Sequence, residues 1–324
     1  MFDPSRTVHE WTELNGEDFA ALRDRRVVAL VCASPLEVHG PHLPVMADIR
    51  EGDAMLVRTA EKLRERYPEL VFLRLPPVWV AADVLPHKGS VRFNPGTLVR
   101  VLTEMGESLC LQGVRDIWVG NFHGGPRHFV AIEEAAHRVN RRHGGRMVSL
   151  FSLLIGRLTG GSSDLSAVLA DRLGVPRSSL EGDAHGGAVE TSLLLHLAAD
   201  HVSPRWKDLA QRSVEATLRA RGQRPLQKGE RPTLPELFRG FFLKWRYFEE
   251  NTWAGEPRIA SPEAGREIFE LLTDHAAEAM AEVLDGKVPP SKWHSPLWPA
   301  RRALLSERGF RLVDKLMSTR PRPV

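Results

Sequence analysis

Short apolar runs that alternate with helical periods constrain the fold of this chain most strongly. Runs rich in Val, Ile and Leu, bounded by turn residues, predict buried strands at residues 27–33, 71–75, 117–119 and 147–151. Between them, apolar residues recur at helical spacing in 98–109 and, after Pro126, in 129–139. Such a β-α-β-α order predicts an α/β fold with three layers, α/β/α, and a mainly parallel central sheet.

The composition is ordinary for a soluble enzyme, with 42% hydrophobic and 26% charged residues among 324. The net charge of +3 comes from basic residues in 205–246 and after 301, and no base-reading motif accompanies them, so we expect no nucleic-acid partner. No stretch reaches the roughly 18 apolar residues of a membrane span, and we expect a cytoplasmic protein without membrane contact. Cys32 and Cys110 are far apart and are predicted to be buried spectators.

A dense group of metal-ligand types follows the first apolar run. Residues 37–48 read Glu-Val-His-Gly-Pro-His-Leu-Pro-Val-Met-Ala-Asp. If Glu37, His39 and Asp48 are buried together, each loses hydration and the two carboxylates repel each other unless a cation lies between them. The stretch therefore predicts a site for a divalent metal.

Two later segments extend this site. Residues 121–125, Asn-Phe-His-Gly-Gly, follow the predicted strand 117–119, and residues 182–192, Gly-Asp-Ala-His-Gly-Gly-Ala-Val-Glu-Thr-Ser, open a helix-like stretch. They supply His123, Asp183, His185 and Glu190. Because the carboxyl ends of parallel strands meet at one edge of a sheet, we expect the metal site at that edge.

Together, the three segments resemble the creatininase family of metal-dependent amidohydrolases, whose similarity extends over residues 20–285. The resemblance implies two divalent metals per chain, and Zn, Mn and Fe all accept these ligands. It implies a first metal held by Glu37, Asp48 and His123, and a second held by His39, Asp48 and a further carboxylate, with Asp48 as the bridge.

The chain departs from creatininase at the further carboxylate, which lies two residues after the histidine of the third-strand loop. Here that position is Gly125, and we assign the vacancy to Glu190. Pro126 stands where many relatives have Asn. The resemblance also implies that His185 is a proton shuttle, and His185 and Glu190 are the predicted catalytic residues.

Other residues near the motifs leave alternatives open. His42 either donates a hydrogen bond to the ligand shell or braces its loop. Asp183 or Glu190 offsets the charge of a protonated His185 at a helix start. Asn121 and the two following glycines are expected to shape the turn near the metals. Trp253 either covers the pocket or packs in the core.

We predict one creatininase-like domain, residues 1–288, followed by a tail, 289–324, rich in Arg, Pro and Trp. Residues 203–250 are interpreted as an insertion or lid-like segment, and the aromatic residues of 238–253 as core or subunit interface. A last helix is expected to begin at Pro262, with Ser261 as its N-cap, and to end at Gly286.

The leading hypothesis is a two-metal hydrolase of an amide, lactam or formamide C–N bond that acts through a metal-activated water. Activities in the family include creatinine ring opening, deformylation, peptide trimming in cofactor maturation and hydrolysis of a keto-inositol. We expect a small-molecule substrate and a homo-oligomer. The alternatives are a non-catalytic relative that binds a metabolite or partner through the retained pocket, and an Arg-rich nucleic-acid binder.

Overall fold

The computed structural model describes residues 6–160, 165–180, 182–224 and 234–317. A five-stranded sheet lies at its centre, with all strand pairs parallel and the order β1-β3-β2-β4-β5. The strands are β1 (Val8–Glu10), β2 (Arg26–Cys32), β3 (Leu70–Arg74), β4 (Asp116–Gly120) and β5 (Arg146–Ser149). The predicted parallel α/β sheet is confirmed.

Helices cover both faces of this sheet. They are α1 (Gly16–Ala21), α2 (Ala47–Leu63), α3 (Pro95–Leu111), α4 (Pro126–His143), α5 (Leu150–Gly160), α6 (Leu165–Arg172), α7 (Ala188–Leu197), α8 (Val214–Ala220), α9 (Leu234–Glu250), α10 (Pro262–Leu284), α11 (Arg301–Leu304) and α12 (Glu307–Met317). Among the described residues, no helix is long and apolar enough to cross a membrane.

The central strand β2 explains the three layers. Its side chains alternate between faces, so Val28 and Leu30 pack with α2, α5, α7 and α10, whereas Ala29 and Val31 pack with α1, α3 and α4. All four are fully buried. A strand covered on both faces is apolar at every position, which is why this run was readable from the sequence.

The connections of β2 and β4 create a crevice at the carboxyl ends of these neighbouring strands. The chain leaves β2 through α2 on one face of the sheet and leaves β4 through α4 on the other face. Where adjacent strands connect in opposite directions, the loops separate and leave room for a ligand. The motif loops of residues 37–48 and 121–125 both open into this crevice.

Two strand predictions need correction. The predicted strand 147–151 ends at Ser149, and Leu150 and Phe151 begin α5, because a short apolar run looks alike in a buried strand and a buried helix. Strand β1 was not predicted, since its three residues include His9 and Glu10. By contrast, the helix predicted to begin at Pro262 is confirmed as α10, with the Ser261 hydroxyl accepting a hydrogen bond from the Ala264 amide at 3.1 Å. It ends at Leu284, two residues before the predicted end, and it is not the last helix, because α11 and α12 follow it.

Described parts of the segment after residue 203 pack beside the crevice, whereas residues 225–233 of the predicted lid lie outside the described residues. From α9, Leu243, Tyr247 and Phe248 join a buried cluster with Leu85 and Ala254, so the core interpretation is confirmed for these residues. The side chains of Phe238 and Phe241 lie outside the described part. Whether residues 203–250 act as an insertion or lid stays a prediction.

The C-terminal segment is described up to residue 317, and it packs on α4 through Ser295 and α11. The Ser295 amide donates a hydrogen bond to Glu133 Oε1 at 2.6 Å, and the ring of Trp298 stacks on His294 with centroids 3.9 Å apart. The division of the chain at residue 288 remains a prediction. Cys32 and Cys110 are buried and free, as predicted.

Candidate metal centre

The residues of the first motif lie in the crevice at the end of β2. Glu37 and His39 are fully buried, and Asp48, in the first turn of α2, is 1% exposed. A helix N-terminus carries positive partial charge, which favours a carboxylate at Asp48. At Gly40 the loop turns with φ of 69°, and the Gly40 amide donates to the Thr252 carbonyl at 2.7 Å.

Three potential metal-ligand atoms, one of them from His123, lie close together. Its Nδ1 lies 2.9 Å from Glu37 Oε2 and 3.8 Å from Asp48 Oδ2, and the ligand atoms of these residues are all within 4.8 Å of one another. His123 Nε2 donates to the Ala82 carbonyl at 3.1 Å, because a carbonyl oxygen only accepts. In the neutral ring, which is the form that binds a metal, this bond leaves the lone pair at Nδ1.

Neither carboxylate oxygen that faces His123 has a hydrogen-bond partner among the described residues, although both are buried. Burial raises the pKa of Glu37, but the neighbouring His123 lowers it well below its ordinary value. Burial lowers the pKa of His123, and the Glu37 and Asp48 carboxylates raise it to about 9. Positive charge is thus strongly favoured here, and the donor set of two carboxylates and one imidazole fits a divalent metal.

His39 repeats this arrangement beside the first group. Its Nδ1 donates to the Glu37 carbonyl at 3.0 Å, which leaves the lone pair at Nε2. His39 Nε2 lies 3.5 Å from Asp48 Oδ1 and 3.8 Å from Glu190 Oε2, and it has no hydrogen-bond partner among the described residues. Asp48 therefore presents one oxygen to each histidine.

Glu190 lies at the start of α7, and its side chain is 15% exposed. Its Oε2 accepts a hydrogen bond from the Gly186 amide at 2.5 Å. Burial raises its pKa, His39 opposes this and Asp48 adds to it, giving a pKa of about 7. Glu190 belongs to neither of the two groups whose ligand atoms lie within 4.8 Å of one another, so it is the loosest of the predicted ligands.

His185 is partly exposed and lies between the motif loops. Its ring stacks on His39 with centroids 4.0 Å apart, and its Nε2 donates to the Val38 carbonyl at 2.9 Å, which leaves a lone pair at Nδ1. Burial and His39 lower its pKa to about 4. With Glu37 and His39 it forms the second group of close ligand atoms, so the geometry allows a ligand as well as a proton shuttle.

Two neighbours of His185 have structural roles. Asp183 accepts from the Ala188 amide at 2.7 Å and the Val189 amide at 3.2 Å, so it caps α7. Among the described residues, no hydrogen bond or ion pair joins His185 to Asp183 or to Glu190, and the carboxylates that favour its protonation are Glu37 and Asp48. His42 Nε2 lies 2.8 Å from the Thr191 hydroxyl, the residue after Glu190, which favours its hydrogen-bonding role.

The position that carries a carboxylate in creatininase is closed in this chain. A Cβ atom at Gly125 would overlap His123 Nε2 and would lie 2.7 Å from Asp83 Cβ. Asp83, with φ of 61°, accepts from the Arg127 amide at 2.6 Å and forms a buried ion pair with the Arg127 guanidinium. This pair fills the space beside His123, and a larger residue at 125 requires it to move.

The Asn121 side chain shapes the third-strand loop, as expected. Its Oδ1 accepts from the His123 amide at 3.0 Å, and its Nδ2 donates to the His123 carbonyl at 2.8 Å. Trp253 is 9% exposed, with the Arg212 guanidinium 3.7 Å from its ring centroid, so its burial favours the packing interpretation.

Sequence reasoning missed several buried polar residues. Besides Asp83 and Arg127, these are His128, whose Nε2 donates to the Ala33 carbonyl at 2.9 Å, and Glu51, which is 1% exposed. Burial raises the pKa of Glu51 well above its ordinary value, and the Glu190 and Asp48 carboxylates raise it further. Its spacing of three residues from Asp48 places both on one face of α2, but this spacing has meaning only once the helix is known, and α2 was not predicted.

Comparisons with known proteins identify the family of this chain. The family described as Creatininase, creatinine amidohydrolase, matches residues 12–280. A mycofactocin precursor peptide peptidase from Mycobacterium tuberculosis is 27% identical over 251 residues, which cover 76% of this chain and 81% of that protein.

Solved structures share the fold. A creatinine amidohydrolase candidate from Bacteroides fragilis has a TM-score of 0.58 at 17% identity, with 86% of this chain and 96% of that one covered. A manganese form of creatininase has a TM-score of 0.53 at 18% identity, with 87% and 99% covered.

Proposed function

This chain belongs to the creatininase family, whose model matches residues 12–280, and from this premise we propose a metal-dependent hydrolase that cleaves a C–N bond through an activated water. One observation carries the proposal. His123 Nδ1, Glu37 Oε2 and Asp48 Oδ2 converge in the crevice, and the two buried carboxylates raise the pKa of His123 to about 9, so positive charge is required at this point. Such a set is stabilised by a cation and is unfavourable without one.

In this proposal, Glu37, Asp48 and His123 hold a first divalent metal, and His39, Asp48 and Glu190 hold a second. Each oxygen of Asp48 already faces a different histidine, which supports its role as the bridge. Zn, Mn and Fe all suit the donor set. Metals in such a site activate water for attack on a carbonyl carbon and polarise the carbonyl oxygen.

His185 is proposed as the residue that moves the proton. Because its Nε2 is held by the Val38 carbonyl, Nδ1 is the atom that takes up a proton and passes it to the leaving nitrogen. Glu190 is the second candidate for proton transfer, since a pKa of about 7 lies near the pH at which a general base works best.

Two substrate classes deserve testing. The first is a small amide, lactam or formamide, in keeping with the family. The second is a peptide, which is favoured by the 27% identity to a mycofactocin precursor peptide peptidase. A catalytically inactive binding protein is disfavoured, because His123, His185 and Glu190 are all present in the crevice.

The test combines metal analysis with a substrate screen. Purified protein loaded with Mn²⁺ or Zn²⁺ is assayed on a panel of lactams, formamides and short peptides, before and after chelation. We expect two metals per chain and hydrolysis of one class that stops on chelation and returns with metal. Protein that binds no divalent metal, or hydrolysis that survives complete chelation, contradicts the proposal.

The remaining expectations concern the assembly and its setting. We propose a homo-oligomer in the cytoplasm, acting on a diffusible substrate. Sedimentation of the purified full chain measures the oligomeric state, and a monomer at all concentrations would contradict the first of these expectations.

A further inference from the structure

We propose that Glu51 is an additional carboxylate of the metal centre, which together with Glu190 stabilises the cation on the His39 side, where Gly125 supplies no carboxylate. This inference rests on the proposed metal-dependent function. It assigns to α2 two anionic groups of the site, Asp48 and Glu51, where the sequence motifs contain only the first.

Glu51 is a buried carboxylate. The residue is 1% exposed, and neither of its carboxylate oxygens has a hydrogen-bond partner among the described residues. A buried carboxylate without a partner is strongly unfavourable, whether charged or neutral, because it has given up its hydrogen bonds with water. Buried groups of this kind in a native protein call for an ion or a functional role.

Glu51 shares helix α2 with the predicted ligand Asp48. It lies one turn after Asp48 on the same face of α2, which places it beside the same crevice. Burial raises its pKa well above the ordinary value, the Glu190 and Asp48 carboxylates raise it further, and His39 opposes them. These are the residues assigned to the second metal, so three carboxylates share a buried region with one imidazole, and a cation there relieves their repulsion.

The loop that contains Gly125 supplies no carboxylate to the site, and a side chain at this position would clash with its neighbours. The buried Asp83–Arg127 pair occupies the space beside it, so no carboxylate can reach the site from that loop without rearrangement. The negative charge that balances a second divalent ion has to come from other elements. Helix α7 supplies Glu190, and Glu51 is the further carboxylate that α2 holds nearby.

Glu133 shows what a structural buried carboxylate looks like in the same protein. It is fully buried on α4, and its Oε1 accepts a hydrogen bond from the Ser295 amide at 2.6 Å. It therefore attaches the C-terminal segment to the domain. Glu51 has no such contact among the residues that the structure describes, and this makes Glu133 a matched control.

The experiment is a titration of metal-free protein with Mn²⁺, and separately with Zn²⁺, by calorimetry. Wild type and Glu133→Gln should each bind two ions per chain. Glu51→Gln should bind one ion as wild type does and the other at least about 10-fold more weakly, the usual size of a loss around a metal ligand shell. The melting temperature of metal-free Glu51→Gln should not fall, since the substitution removes a buried charge, whereas its rise on metal addition should shrink.

The outcomes separate the two proposals. Two ions bound by Glu51→Gln with wild-type affinity would overturn the role of Glu51 alone. Wild-type protein that binds no divalent metal would overturn the proposed function and this inference with it. Glu51→Met, which keeps the length of the side chain without its charge, repeats the test; if neither variant folds, Glu51 is a structural residue and the inference is wrong.

Discussion

Buried carboxylates at the two ends of the central sheet differ in their hydrogen-bond partners. At the amino end, Asp116 accepts hydrogen bonds from Arg26 Nε at 2.9 Å and from Arg146 Nε at 2.6 Å. At the carboxyl end, Glu37 Oε2 and Asp48 Oδ2 face the imidazole of His123, and neither oxygen has a hydrogen-bond partner among the described residues. A carboxylate matched to arginine is satisfied within the protein, whereas one that faces an imidazole needs a proton on that ring or a bound cation.

The pKa values of Asp116 and Glu190 shift in opposite directions. Burial raises the pKa of Asp116, but its hydrogen bonds with Arg146 and Arg26 lower it below the ordinary value. Burial also raises the pKa of Glu190, and there the opposing effect of His39 is insufficient, so the pKa stays near 7. At the amino end, the arginines balance the charge of Asp116 and stabilise the fold. At the carboxyl end, the buried carboxylates are not fully balanced, so a cation is favoured there.

Removal of Asp48 should have the largest effect. Since each of its oxygens faces a different histidine, we expect Asp48→Ala to lower the metal content from about two ions per chain to about none, as for a bridging ligand of a metal pair. Elemental analysis of dialysed protein measures this, and hydrolysis should be lost with the metal.

The control for Asp48 is Asp53→Ala on the same helix. Asp53 accepts a hydrogen bond from Arg74 Nε at 2.9 Å and should affect stability while both ions stay bound. If Asp48→Ala retains two metals, the bridging assignment is wrong.

The next largest effect is expected at His185. His185→Ala should keep both metals and lose roughly 100-fold in kcat, the usual contribution of a general acid–base group. Kinetics and metal analysis on the same preparation separate the two roles that the geometry allows. Loss of an ion would make His185 a ligand, and near-normal turnover would leave it a packed loop residue.

Glu190→Gln should weaken one ion selectively. The side chain is the loosest of the predicted ligands, and we expect the affinity of the second metal to fall at least about 10-fold while the first is unchanged. Stepwise chelation followed by elemental analysis resolves the two ions. Equal affinities in variant and wild type would give Glu190 a structural role at the start of α7.

At the other end of the sheet, Asp116→Asn should change stability and leave metal binding intact. The Arg26 and Arg146 side chains are 36% and 43% exposed, so solvent screens the pair and the expected loss is about 1–2 kcal/mol in the free energy of unfolding. Urea denaturation measures it. A loss of bound metal would show that the two ends of the sheet are coupled.

We also expect Asp116→Asn to change how the stability of the protein depends on pH. Because the folded-state pKa of Asp116 is lowered from an ordinary value of 3.8, its contribution is fully present above that value and is lost as the pH falls through the lowered folded-state pKa. Wild-type protein should thus lose stability on acidification in this range, and Asp116→Asn should lose less. Parallel curves for the two proteins would contradict the assignment.

The fold and the meeting of the motif loops were predictable because their signals are local. The run at residues 27–33 is apolar at successive positions, and Glu37 follows it closely, as His123 follows the run at 117–119. Parallel neighbours then bring Glu37 and His123 together, and the structure places their atoms 2.9 Å apart. The roles of these residues as ligands stay predictions.

The remaining features depend on contacts that spacing does not reveal. Asp83 and Arg127 are 44 residues apart, and only their burial beside Gly125 shows why that position is closed. Glu51 lies in a helix that was not predicted, and an isolated glutamate on a helix is usually solvated. The attachment of Ser295 to Glu133 joins residues 162 apart, and nothing in the tail sequence indicates it.

Anomalous diffraction from a crystal of the zinc-loaded protein, recorded at the zinc edge, tests the metal centre most directly. We predict two peaks in the crevice at the carboxyl ends of β2 and β4. One should lie among Glu37, Asp48 and His123, and the other beside His39, Asp48 and Glu190. The second peak should become weaker after brief chelation. No peak in the crevice, or a single peak that does not contact Asp48, would contradict it.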